Sequence, residues 1–185
     1  MRWGEERARS LIAIVPRDSL FALSPKLGGV TNFARLRSPL LGLEAALRTD
    51  RFGPELAFSL EADWSFAANT QSAGGFDTRA RENFFALSAQ VAFRQRLGLR
   101  TVVFAGAGPS LTLVTSRVRV DAAPGFTESG AAPGALLSAG VELRLSRAIP
   151  FGELRWSWQA DPSFSTLRGP VSAVSLVVGS RFELR

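Results

Sequence analysis

Residues 55–66 read ELAFSLEADWSF. Leu56, Phe58, Leu60, Ala62, Trp64 and Phe66 fall on one side of a period-2 alternation, and Ala57, Ser59, Glu61, Asp63 and Ser65 on the other. Successive side chains of a strand point to opposite faces, so this pattern builds a strand with one apolar and one polar face. Wound as a helix, the same residues would set Glu61 among Phe58 and Leu60 and leave no clean stripe. Residues 152–159, GELRWSWQ, repeat the pattern, with Leu154, Trp156 and Trp158 opposing Glu153, Arg155, Ser157 and Gln159.

Carried outward along the chain, the alternation predicts eight strands: Leu20–Val30, Pro39–Arg48, Glu55–Ala68, Phe84–Gln95, Leu99–Val114, Ala135–Ser146, Gly152–Ala160 and Ser172–Leu184. Each is long enough to cross an apolar slab of about 25 Å when tilted. Four connections read as longer loops: Thr31–Ser38, Asn69–Asn83, Thr115–Gly134 and Asp161–Val171. Three are tight: Thr49–Pro54, Arg96–Gly98 and Arg147–Phe151. With an even strand number, the long connections share one end and the tight ones share the other with both termini. This asymmetry is that of outer-membrane barrels.

Composition narrows the chemistry. The 185 residues contain no Cys, His or Tyr, which excludes disulfides, thiol catalysis, His-ligated metals and a Ser-His-Asp triad. No catalytic, metal-binding or cofactor-binding residue is therefore assigned. The 17 Gly and 10 Pro are spread along the chain, against long helices. The longest uncharged run, Thr101–Ser116, spans 16 residues and contains Gly106, Gly108 and Pro109, too short and broken for a membrane helix. At the N-terminus, Glu5 and Glu6 stand where a signal peptide is basic, and the apolar run Leu11–Val15 is too short. Residues 1–18 are read as a linker or tail and 19–185 as the barrel domain, in a chain that either stays in the cytoplasm or is cut from a longer precursor.

Alternation alone does not decide which face points inward. A soluble lipocalin-like barrel binding a small apolar ligand would turn its apolar face inside. The polar face, however, is mostly Gly, Ala and Ser with sparse charges of both signs, unlike a solvated sheet face, and Lys26 is the single Lys of the chain. The apolar face is continuous and uncharged along its middle. These features predict an inside-out arrangement, with Leu43, Phe58, Leu60, Val91, Leu143, Trp156, Trp158 and Leu176 facing lipid, and Leu43, Val91 and Leu143 near mid-membrane. Aromatics toward strand ends, among them Phe21, Trp64, Phe66, Phe84, Phe85 and Phe182, suit two interfacial girdles.

The last strand, SAVSLVVGSRFELR, resembles the C-terminal signal of bacterial outer-membrane barrels: Gly179, then the aromatic Phe182, then the hydrophobe Leu184. Arg185 after that hydrophobe and Val177 at a usually polar position depart from the pattern. The whole plan is similar to eight-stranded barrels of the OmpA/OmpX type, over about residues 19–185. The segments PKLGGVTNF and STLRGPVSAVSLVVGSRFEL also look like barrel modules that end longer envelope proteins. The resemblance implies an all-β, antiparallel up-and-down transmembrane barrel in the bacterial outer membrane. It further implies a non-enzymatic anchor or structural barrel displaying external loops, in contact with the bilayer and outer-leaflet lipid and with the outer-membrane assembly machinery. The barrel is expected to be a monomer with no nucleic-acid partner. Barrels that deacylate lipid A use a Ser and a His, and the absence of His closes that route.

The polar face carries Lys26, Glu44, Arg48, Glu61, Asp63, Arg94, Arg100, Glu142, Arg144, Glu153, Arg155, Arg181 and Glu183. These near-balanced charges predict a structural network plugging a narrow lumen, since buried charges must pair. Glu61 and Asp63 lie two apart on one strand and cannot flank a scissile bond as a glycosidase pair must. Gly106-Ala107-Gly108 lacks the Lys-Ser/Thr and helix of a phosphate loop and reads as a bend, a bulge or a site of close packing. For the hairpin of strands 135–146 and 152–160, charge complementarity favours a register summing to 297, with Glu142 opposite Arg155 and Arg144 opposite Glu153; a sum of 299 is the alternative. The same logic pairs Lys26 with Glu44 around Arg35. Arg35, Arg37, Arg117 and Arg119 fall near the long-loop end, within reach of outer-leaflet phosphates if that end is external.

Overall fold

A computed structural model describes residues 21–32, 37–48, 56–73, 76–120, 124–145, 148–160 and 171–184. It is a closed antiparallel barrel of eight strands, each hydrogen-bonded to its sequence neighbours, with β1 closing on β8. The strands are β1 (Phe21–Thr31), β2 (Arg37–Arg48), β3 (Leu56–Ala73), β4 (Phe76–Arg96), β5 (Thr101–Val120), β6 (Phe126–Leu143), β7 (Ala148–Gln159) and β8 (Val171–Leu184). The reading of residues 1–18 as a linker or tail lies outside the described residues.

The faces are inverted relative to a soluble barrel. Leu60 is 66% exposed and Leu176 65%, whereas Lys26 and Glu61 are 4% and 3% exposed. The lumen is narrow enough for its own side chains to fill, and the outward side chains form a continuous apolar belt. A lipocalin-like interior for an apolar ligand is therefore ruled out by the charged lumen. Toward the tight turns the belt ends in Phe21, Phe58, Phe93 and Phe182, and toward the other end in Trp64, Phe66, Phe85, Trp156 and Trp158. Phe84, read as a girdle aromatic, is instead on the inward side and lines the lumen with Ser65 and Ser88.

Two segments expected to be loops are strand. β3 runs to Ala73, β4 starts at Phe76, β5 reaches Val120 and β6 starts at Phe126, so β3–β6 have 18, 21, 20 and 18 residues. β1, β2, β7 and β8 have only 11 to 14. At about 3.4 Å per residue, β3–β6 extend roughly 20 Å further along the strand than their neighbours. The sequence here lacks apolar alternation because it has left the belt, and backbone pairing continues without it. The barrel thus carries a two-hairpin wall on one side of its rim.

Registers also differ from expectation. β6 and β7 pair with Ser138 opposite Arg155, Gly140 opposite Glu153 and Glu142 opposite Phe151, a sum of 293, not 297 or 299. β1 and β2 pair with Lys26 opposite Gly42 and Ser24 opposite Glu44, one residue off the centre at Arg35. Across Gly106–Gly108 the β4–β5 register stays constant, with Ser88 opposite Ser110 and Val91 opposite Ala107, so there is no bulge. Gly108 is instead a close approach: a Cβ there would strike the Ala89 carbonyl oxygen and the Gln90 Cα. Leu143 is the last residue of β6, placing it at the belt's edge and not at its middle.

Candidate functional site

Polar-face residues from seven of the strands converge on the barrel axis. Lys26 on β1 places Nζ 2.5 Å from Glu44, 3.0 Å from Glu61 and 3.2 Å from Glu153. Arg155 on β7 donates to Asp63 at 2.9 Å, to Glu153 at 3.0 Å and, through Nη2, to Glu61. Arg181 on β8 donates to Glu44 at 2.6 Å and also to Glu142, which accepts from Arg94 as well. One ionic chain therefore runs Asp63–Arg155–Glu61/Glu153–Lys26–Glu44–Arg181–Glu142–Arg94. Arg48 and Glu183 pair at 3.0 Å.

The charges are Lys26, Arg48, Arg94, Arg155 and Arg181 against Glu44, Glu61, Asp63, Glu142, Glu153 and Glu183. Each of the five cations has a carboxylate within 3.2 Å, the arrangement a low-dielectric lumen requires. Neutral groups extend it. Gln90 donates to Glu61 at 3.2 Å and accepts from the Ser138 hydroxyl at 2.9 Å, and Arg181 Nε donates to Ser24 at 3.2 Å. The Phe151 ring lies 5.6 Å from Lys26 Nζ and 5.4 Å from the Arg181 guanidinium, within cation–π range.

Small residues make the room. A Cβ at Gly179 would lie 2.6 Å from the Phe151 ring, and one at Gly42 would meet the Asp63 carboxylate. Gly179 thus has a structural reason inside the barrel, whatever reads the C-terminal segment. Phe182 and Leu184 from the same segment face outward and are exposed.

Two residues expected in the network lie beyond the ends of their strands. Arg100 is exposed in the turn between β4 and β5, where its carbonyl accepts from the Arg144 amide at 2.7 Å. Arg144 itself follows the end of β6 at the barrel's lip and is half-buried. Phe151, Gln90, Ser24 and Ser138 join the network without having been singled out by sequence. Their parity is the available signal: Phe151 alternates in step with Glu153 and Arg155, and Gln90 with Ser88 and Arg94. The outward residues Leu43, Phe58, Leu60, Val91, Leu143, Trp156, Trp158 and Leu176 are all exposed.

A groove of about 720 Å³ on the outer side reaches Lys26 and Phe151, whereas the voids within the lumen are small. One of about 80 Å³ lies on the long-strand side, lined by Asp63, Arg155 and hydroxyls such as Ser65, Ser88 and Thr112. Another of about 20 Å³, lined by Glu44, Glu142, Glu153 and Arg181, lies on the tight-turn side. Among the described residues no cluster of metal-ligating side chains occurs.

Of the arginines grouped at the long-loop end, Arg35 lies outside the described residues and Arg37 is exposed on β2. Arg117 and Arg119 belong to β5, directly opposite Arg81 and Arg79 of β4.

This is an eight-stranded transmembrane barrel of the outer-membrane type, with an apolar belt outside and an ionic plug within. No protein-family model matches the chain, and no curated protein matches it in sequence. Solved structures match its fold. Neisserial surface protein A is 13% identical with a TM-score of 0.61, covering 91% of this chain and 100% of that one. A major outer membrane protein from Thermus thermophilus is 14% identical with a TM-score of 0.56, covering 89% and 98%. Ail, the attachment invasion locus protein of Yersinia pestis, solved with the heparin analogue sucrose octasulfate, is 10% identical with a TM-score of 0.55, covering 89% and 98%.

Proposed function

We propose that the chain is a non-conducting, non-enzymatic monomeric barrel of the bacterial outer membrane. It anchors a rim, and in a longer envelope protein an upstream domain, to the bilayer. The observation that carries this reading is the ionic chain from Asp63 to Arg94, which fills the lumen with four cations interleaved among five carboxylates. Its carboxylates are committed to cations, which leaves Glu61 and Asp63 as a clamp on Arg155 and not as an acid/base pair. The β3–β6 wall supplies the displayed surface. Gly179, Phe182 and Leu184 fit the terminal segment that assembly machinery reads, with Phe182 and Leu184 presented outward.

The test is to refold the chain into lipid vesicles and planar bilayers. A folded barrel that migrates differently on gels before and after heating, with no steady conductance, is expected. Sustained open-channel current would overturn the plugged lumen, and a chain that stays in the aqueous fraction would overturn the membrane reading.

A further inference from the structure

Four arginines occupy one outward patch of the β4–β5 hairpin. The register sets Arg79 directly opposite Arg119 and Arg81 directly opposite Arg117. All four are exposed, and among the described residues none is held in an ion pair. Like charges opposed across a strand pair destabilise the sheet, so folding alone does not account for two such rungs in succession. Inside the same barrel Lys26, Arg48, Arg94, Arg155 and Arg181 each meet a carboxylate.

Their position defines what matches them. They share the outward face of Phe85 and Leu113, the last apolar pair of these strands, with the polar pair Asn83–Thr115 between. The flanking strands add no charge on this face, since Arg81 lies opposite Ala68 and Arg117 opposite Thr127. The four arginines line a common hollow of about 150 Å³. Arg81 and Arg117, together with the carboxylate Glu82, also border an adjoining groove of about 570 Å³ that descends to Trp64 and Phe66, whose rings lie 5.3 Å apart. Phe66 pairs with Asn83, one outward position, about 7 Å, below Arg81. A polyanion in water would use the arginines but not an aromatic groove opening onto the lipid face. A molecule with phosphates at its head and acyl chains beneath uses both. Arginine is the side chain suited to that task, because its fork grips phosphate oxygens in pairs.

We infer that Arg79, Arg81, Arg117 and Arg119 form a site for the phosphorylated head of an acylated glycolipid, whose chains lie along Trp64 and Phe66. The inference rests on the proposed membrane setting, with the long-strand end facing the leaflet that holds such lipids. The full chain, folded in phosphatidylcholine nanodiscs, is titrated with bis-phosphorylated lipid A, its phosphate-free counterpart, inorganic phosphate and sucrose octasulfate. Bis-phosphorylated lipid A binds at least about tenfold more tightly than the phosphate-free lipid, and Arg81→Gln/Arg117→Gln loses about tenfold while keeping its heat-dependent mobility. Equal binding of the two lipids, or binding unchanged in the double variant, overturns the site. Inorganic phosphate or sucrose octasulfate binding as tightly as the lipid also overturns it, by removing the groove from recognition. The comparison of the two lipids on the unaltered chain stands even if the variant fails to fold. A chain that never enters the nanodisc overturns the membrane reading first, whereas one that enters and discriminates nothing overturns the site alone.

Discussion

Arg155 and Arg181 lie inside the barrel, and Arg81 and Arg117 lie outside it, within one molecule of uniform strand geometry. The inner pair is buried and surrounded by carboxylates, with Arg155 contacting Glu61, Asp63 and Glu153, and Arg181 contacting Glu44 and Glu142. The outer pair is exposed, directly opposed and without a carboxylate partner among the described residues. The same side chain therefore serves two ends. Where the side chain is buried, each cation meets carboxylates inside the chain because an unmatched buried ion costs several kcal/mol. Where the surroundings are the headgroup region, charge is left open to what lies there.

The sharpest way to break the comparison is to unbalance the inner set. Arg155→Ala leaves Glu61, Asp63 and Glu153 short of a cation and should destabilise the folded barrel by roughly 3–5 kcal/mol in urea titrations in lipid. Adding Glu61→Gln should recover part of that loss. If Arg155→Ala unfolds at the same urea concentration as the parent, the network contributes nothing.

Depth in the belt gives the next effect. Leu137 faces outward, six residues in from the end of β6, whereas Leu143 ends that strand. Leu137→Arg should cost about 2–4 kcal/mol, and Leu143→Arg well under half as much, because the penalty falls from midplane to interface. Equal costs would remove the inferred depth of the belt. The lip tests the register. Arg144 is not opposite Glu153, so Glu153→Arg should add its own loss to that of Arg144→Glu with no rescue. Rescue would restore the register summing to 297. The smallest effect belongs to the outer set: without glycolipid, Arg81→Gln/Arg117→Gln should leave stability unchanged or raise it by up to about 1 kcal/mol, because an unfavourable pair is removed. A clear loss of stability would mean these arginines hold the hairpin together.

The period-2 pattern carries the strand number, the inside-out faces and most of the interior charges, because a lipid-facing belt forces strict alternation. It does not carry strand length in β3–β6. Beyond the belt no bilayer demands apolar residues, so Asn69–Asn83 and Thr115–Gly134 read as loops although backbone pairing runs through most of both. Register escapes the sequence for a different reason. Charge complementarity across direct rungs is a poor guide in a lumen this narrow, where Glu142 reaches Arg94 and Arg181, and Arg155 reaches Glu61, on other strands altogether. Lys26 still meets Glu44, diagonally and not on a shared rung. Parity places Arg100 and Arg144 inward, but parity stops meaning anything once the strand has ended. The outer arginine site is half visible in sequence: Arg117 and Arg119 stand out, while Arg79 and Arg81 join them only through the β4–β5 register.

The central claim is that lipid surrounds the apolar face and an ionic plug fills the polar one. The chain contains no Cys, so single cysteines along β8 can be spin-labelled without background. Residues 173–178 carry no charge and alternate between buried Ala173, Ser175 and Val177 and the outward Val174, Leu176 and Val178. In lipid vesicles, labels at 174, 176 and 178 should collide readily with oxygen and poorly with a water-soluble nickel chelate, and labels at 173, 175 and 177 should collide poorly with both. Oxygen accessibility highest at 173, 175 and 177, or no alternation at all, would contradict the account.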